Sequence, residues 1–170
     1  FETDYNMETL TAMAKGLRRT VRKKRSRRVH IFAAVVLILG LLTILATTAG
    51  GEPLGASGVV TLLAMLVVIL VSLFEDKLNA WFARKRLLPG TEHAVATFEE
   101  DGYVSATGVT ESRFSYAQIV AVAETARYFV FALSSHHTQA YDKRTIRGGS
   151  VEDFRAFIAE KTGKPVANIK

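Results

Sequence analysis

Two apolar runs dominate the pattern of the chain. The first covers residues 29–49 and the second residues 54–74, and neither contains Asp, Glu, Lys or Arg. A helix of ~20 such residues, rising ~1.5 Å per residue, crosses the ~30 Å hydrocarbon core of a bilayer. Helices of soluble cores usually keep a polar face, and these runs have none. Gly50, Gly51, Pro53 and Gly55 interrupt them, and that turn chemistry predicts a two-helix transmembrane hairpin. The hairpin is expected over residues 29–88, with spans at 29–49 and 54–74 and a helical extension to Arg86. Thr43, Thr61 and Ser72 can bond back to their own helices. Gly40 and Ala64 can let the two helices approach closely. There is no intramembrane carboxylate or lysine, the usual mark of an ion path, so transport by this chain alone is not expected.

The pattern before the hairpin is helical and one-sided. Met7, Leu10, Ala14, Leu17 and Val21 recur at spacings of three and four, and Asp4 precedes them as the expected cap. Lys15, Arg18, Arg19, Arg22, Lys23 and Lys24 occupy the other faces. Residues 1–28 therefore read as a basic amphipathic helix. It is expected to lie in the membrane interface and run into the first span, with packing on the chain's own soluble domain as the second use. The pattern is not that of a cleavable signal peptide, because the basic and apolar regions are both too long.

After Leu87-Leu88-Pro89-Gly90 the period changes to that of strands. Residues 93–100 and 103–107 form a hairpin around Asp101-Gly102, a pair that tolerates left-handed backbone angles. Further strands are expected at 112–116, 119–125, 127–134 and 138–143. The last element is a helix that opens on a Ser150/Asp153 capping box, buries Val151, Phe154, Phe157 and Ile158, and stops at Gly163. The fold class is thus membrane α+β: an N-terminal amphipathic helix, a transmembrane hairpin, and over residues 91–163 an antiparallel curved sheet capped by one helix.

Charge adds topology to this picture. The 170 residues carry a net charge of +6, and the basic residues crowd beside the spans. Arg18, Arg22, Lys23, Arg25, Arg27 and Arg28 precede the first span, while Trp81, Arg84, Lys85 and Arg86 follow the second. These are the expected membrane-interface residues, facing anionic lipid headgroups and not nucleic acid. The connecting loop has no basic residue and one acid, Glu52. Both termini are therefore expected in the cytoplasm. The chain has no cysteine, which removes disulfides and thiol chemistry.

Candidate chemistry is sparse. His136-His137 can supply one metal ligand on a given strand face, with Asp142 and His93 as candidate companions, but a solvated turn is the plainer reading. Ser134-Ser135 and Ser57 lack a nucleophile elbow. Glu99-Glu100-Asp101 and Glu75-Asp76 read as solvated turns. Gly50-Gly51 and Gly148-Gly149 are not phosphate loops. Lys143, Arg144 and Arg147 form a modest basic patch, the candidate contact for a partner or a headgroup. No catalytic residue, metal or cofactor is expected.

Several short motifs together resemble the YcxB-like proteins, a bacterial membrane family. They are Asp4-Tyr5 ahead of a basic stretch and two spans, Phe98-Glu99-Glu100-Asp101-Gly102, Ser115-Tyr116-Ala117-Gln118-Ile119, Glu124-Thr125 with Tyr128-Phe129, and Lys143-Arg144 before the last helix. Tyr116 departs from the family's usual tryptophan, and Tyr141-Asp142 from its common Ile-Pro. The resemblance implies a soluble domain similar to bacterial pleckstrin-homology (PH)-like domains, held at the inner membrane. It implies no reaction. The functional expectation is a non-catalytic, membrane-anchored interaction protein, acting as an accessory or stabilising subunit of a larger membrane complex. The alternative is a regulatory or immunity-type protein that binds a lipid headgroup or a peptide.

Overall fold

A computed structural model describes residues 1–51 and 53–169. Glu52, the acid expected in the connecting loop, and Lys170 lie outside the described residues. The chain divides into two compact bodies. One is Phe1–Lys23 together with Asn79–Lys170, and the other is Lys24–Leu78.

The second body holds the two long apolar helices, most of α2 (Lys23–Ala49) and α3 (Ala56–Leu73). Both are long and apolar enough to cross a membrane, with mean hydropathies of 2.7 and 2.6 over their most apolar stretches and none of those stretches buried in protein. Gly40 is where they approach: a methyl group built on it would stand 2.8 Å from Met65 Sδ. The Thr43 and Thr61 hydroxyls donate to Leu39 O and Ser57 O, each at 2.9 Å, so these polar side chains are satisfied within their own helices. The helical extension expected after the second span is set off from it at Phe74. There α3 is capped, and α4 (Glu75–Lys85) starts afresh.

The first body is built from two four-stranded sheets, where a single curved sheet was expected. Sheet A runs in the order β1 (Glu2–Asp4), β2 (His93–Phe98), β3 (Gly102–Thr107), β4 (Glu111–Ser115). Sheet B runs β7 (Thr138–Asp142), β6 (Tyr128–Ala132), β5 (Ala121–Glu124), β8 (Val166–Asn168). All pairings are antiparallel except β5 with β8. The expected hairpin at Asp101-Gly102 is present, but neither residue takes a positive φ. Gly102 is required for another reason: a Cβ there would lie 2.4 Å from Phe114 O across the β3–β4 ladder.

Every residue of β6 is buried, because the strand is covered on both faces. That is why its sequence, Tyr-Phe-Val-Phe-Ala, shows no alternation. One face belongs to a core of Ala96, Tyr103, Tyr116, Ile119, Val122, Phe129, Phe131, Tyr141, Phe154 and Ile158. This core lies between the sheets and under α5 (Val151–Thr162). The helix has the expected Ser150/Asp153 capping box and ends at Gly163, whose φ of 62° is the left-handed value glycine accepts without strain. The other face of β6 joins Ala123, Tyr128, Val130, Ala140 and Ile169 against Ala12 and Met13 of α1 (Met7–Arg19).

The N-terminal segment therefore differs from the interfacial helix expected of it. Residues 2–4 are a strand paired with β2, so Asp4 is not the cap. Asn6 takes that place, its Oδ1 accepting from Glu8 N at 2.9 Å and Thr9 N at 3.1 Å. The apolar stripe of α1 lies on sheet B, with Thr9, Leu10, Gly16 and Leu17 buried. Removing a leucine side chain from water contributes about 1.5–3 kcal/mol, so Leu10 and Leu17 hold the helix to the sheet. Thr20–Arg22 then turn the chain, and α2 begins at Lys23.

Candidate functional site

The expected basic patch is neutralised within the fold. Lys143 Nζ donates to Glu124 Oε1 at 2.6 Å and to Thr125 O at 2.6 Å, and its side chain is only 12% exposed. Arg144 Nη2 meets Asp142 Oδ2 at 2.9 Å. Arg147 Nη2 meets Glu2 Oε1 at 2.7 Å on an exposed surface. The positions are adjacent, as expected, yet each cation already faces a carboxylate.

Two of these carboxylates are structural hubs. Glu124 also accepts from Arg155 Nε at 2.6 Å and Nη2 at 2.8 Å. The Arg155 hydrogen bond, aided by Lys143 and opposed by burial, holds the Glu124 carboxyl down at about 2. The pair of cations thus ties α5 and the turn after β7 to β5. Asp142 accepts from Arg127 Nε at 2.9 Å and Nη2 at 2.8 Å, and Arg127 reaches on to Glu8 of α1. Asp142 N donates to Thr3 Oγ1 at 3.1 Å, which fastens β1 beside β7.

The histidines do not form a centre. His136 Nδ1 pairs with Ser135 Oγ at 2.7 Å, and the backbone N–H groups of His136 and His137 donate to Ser134 Oγ. His93 pairs with Asp4 Oδ1 at 2.7 Å, and Asp142 is occupied by arginines. No group of three His, Asp or Glu able to hold a metal occurs among the described residues. Glu99 serves the fold through its backbone, its carbonyl accepting from the Tyr116 hydroxyl at 2.5 Å.

The expected membrane-interface residues fall on several elements. Arg25, Arg27 and Arg28 are exposed in the first turns of α2, and Lys23 is exposed at its start. Arg22 instead donates through Nε to Ser135 O at 2.6 Å, and Arg18 lies half-buried on α1. On α4, Lys85 Nζ sits 3.6 Å from the centre of the Trp81 ring, and Trp81 packs edge-on against Phe82 at 4.9 Å. Both aromatic rings are about half exposed, while Arg84, Lys85 and Arg86 all face outward. An amphipathic ring carrying a cation suits a headgroup layer.

Several clefts open in the first body, and two of them, packed against its helices, are not legible in the sequence. A cleft of about 510 Å³ lies between β2, the Ile146–Ser150 loop and α5, floored by Phe98, Phe154 and Phe157. A second, of about 300 Å³, lies between β3, β4, the edge of β7 and α1.

The strands and helix that frame these clefts also carry a family signature. The YcxB-like protein family model matches residues 98–158. The chain carries a YcxB-like segment. It runs from the last residue of β2 to the middle of α5, so it contains both ion-pair hubs, Glu124 and Asp142, and most of the core between the sheets. No curated protein and no solved structure gave a match. The YcxB-like resemblance read from the short motifs thus holds over residues 98–158, while Asp4-Tyr5 and the two apolar helices lie outside the match. Tyr116, in place of the usual tryptophan, is buried against the domain's aromatic core.

Proposed function

We propose that this YcxB-like chain is a non-catalytic membrane-anchored interaction protein. A bilayer-spanning hairpin holds a PH-like domain at the cytoplasmic face of the bacterial inner membrane, where it serves as an accessory subunit of a larger membrane complex. One observation carries the reading. The two long apolar helices sit between two segments, Phe1–Lys23 and Asn79–Lys170, that fold into one body. Segments that share a body lie on one side of a membrane, so the intervening chain crosses it an even number of times. The excess of Lys and Arg beside the spans supports the cytoplasm as that side. Two sheets, antiparallel but for the β5–β8 pair, with α5 after the seventh strand support the PH-like reading, and the internal pairing of the charged clusters supports binding over catalysis.

The test is crosslinking in intact membranes, followed by purification in mild detergent. A second membrane protein recovered reproducibly, and lost when the exposed faces of α2 and α3 are altered, is the expected result. A chain always recovered alone overturns the subunit role. The alternative, recognition of a lipid headgroup or a peptide, draws support from the 510 Å³ cleft with Arg147 on its wall. A salt series of vesicle binding across lipid charge separates the two.

A further inference from the structure

The second cleft has the makings of a ligand site that is independent of the membrane role. Its floor is the inner face of sheet A, where core-facing positions change character along the strand. On β3 the inward residues run Tyr103, Ser105, Thr107, and on β4 Phe114 is followed inward by Ser112. Small hydroxyl residues stand where large apolar ones would fill the space, and a cleft of about 300 Å³ is left. No Asp, Glu, Lys or Arg lines it.

Polar groups inside it lack protein partners. Gln139 is only 7% exposed, and its Oε1 accepts from the Tyr103 hydroxyl at 2.6 Å and from the Tyr141 hydroxyl at 2.8 Å. Burial raises both phenols, Tyr103 to about 12, so both stay protonated and donate. The two hydroxyls thus engage the carbonyl end of the amide. The amide nitrogen donates to no group among the described residues, nor does the Ser105 hydroxyl, in a residue only 9% exposed. No buried side-chain polar atom lacks a partner among the described residues, so the free amide and hydroxyl retain access, and the cleft is what they line. Donors held at the wall of a cleft are hydrated when it is empty and are free to bond a ligand that displaces that water. Leu10, Met13 and Phe114 form the apolar side of the same cleft.

We propose that this cleft binds a small uncharged molecule with an apolar body and an amide or other carbonyl head. The carbonyl accepts from the Gln139 amide nitrogen, the Ser105 and Ser112 hydroxyls complete the polar contact, and the apolar body lies against Leu10, Met13 and Phe114. No carboxylate, ammonium or guanidinium lines the cleft and His137 is its one imidazole, so carboxylates and ammonium ions find no permanent counter-charge there to replace their hydration.

The chain's three methionines make the test direct. Met13 lines the cleft, Met7 opens α1, and Met65 lies in the second apolar helix. The full chain in nanodiscs, labelled with ¹³C at the methionine methyl groups, is titrated with hexanamide, hexanoate and hexylammonium. A saturable shift of Met13 with hexanamide, without one at Met65 or with either ion, is expected. Ser112→Leu and Thr138→Leu each fill the cleft, and each variant that keeps the native near-ultraviolet tyrosine signal should lose the shift. Four results overturn the proposal: no Met13 shift, an unsaturated shift shared by Met65, an equal response to either ion, or a shift that survives in a folded filling variant.

Discussion

Gly16 lies so close to Val130 that a methyl group built on its Cα would stand 2.7 Å from the valine's Cγ1. Val130 is the centre of β6 and is 1% exposed, so it has little room to yield. Gly16→Ala gains about 1 kcal/mol of helix propensity but forces an overpacked contact costing about 1–3 kcal/mol. The expected net effect is a loss of about 1 kcal/mol, recovered in part by combining it with Val130→Ala. Urea unfolding of the detergent-solubilised chain, followed by near-ultraviolet tyrosine dichroism, measures it. All five tyrosines belong to the first body.

Glu124 gives the domain an acid-sensitive clasp. Its folded value is lowered from 4.5 to about 2, so its contribution is complete above about 4.5 and fades as the pH falls toward 2. The shift corresponds to roughly 3 kcal/mol. Glu124→Gln should lose about that much at pH 7, and the gap between variant and parent should close as the pH is lowered through that window. Urea midpoints at a series of pH values decide it; a gap that stays constant would refute the clasp.

Lys143 and Arg147 should behave oppositely although both belong to the same basic stretch. Lys143→Met leaves the buried Glu124 short of one cation and should cost about 2–4 kcal/mol. Arg147, 80% exposed in its pair, should cost less than about 1 kcal/mol when changed to alanine. Equal losses for the two variants would contradict the difference in burial.

Topology can be read because the chain has no cysteine of its own. Single cysteines at Ser57, near the start of α3, and at His136, in the turn before β7, are both at exposed positions. In intact spheroplasts a membrane-impermeant maleimide should label Ser57→Cys at once, and His136→Cys only after permeabilisation. The reverse order would place the domain outside the cell.

Much of this architecture was legible because it rests on local chemistry. The capping box at Ser150, the stop at Gly163 and the two apolar runs each announce themselves within a few residues. What escaped depends on distant partners. Val166-Ala167-Asn168 reads as a tail after Pro165 and becomes a strand only through its parallel pairing with β5. Glu2-Thr3-Asp4 has no apolar alternation, and its place is set by β2 and by Asp142 N bonding to Thr3 Oγ1. The cations at 143, 144 and 147 look free in the sequence, since Glu124 lies 19 residues from Lys143 and Glu2 lies 145 from Arg147. The Gln139 cleft has no motif at all, because small inward residues on neighbouring strands become a space only once the sheets are stacked.

The union of Phe1–Lys23 with Asn79–Lys170 also sets an order of events at the ribosome. Residues 1–23 are made before the strands they fasten onto, β2, β6 and β7, which follow only after both apolar helices. Until then the underside of α1 has nothing to dock on. Completion of the first body is therefore a late event that waits on the chain beyond the two apolar helices.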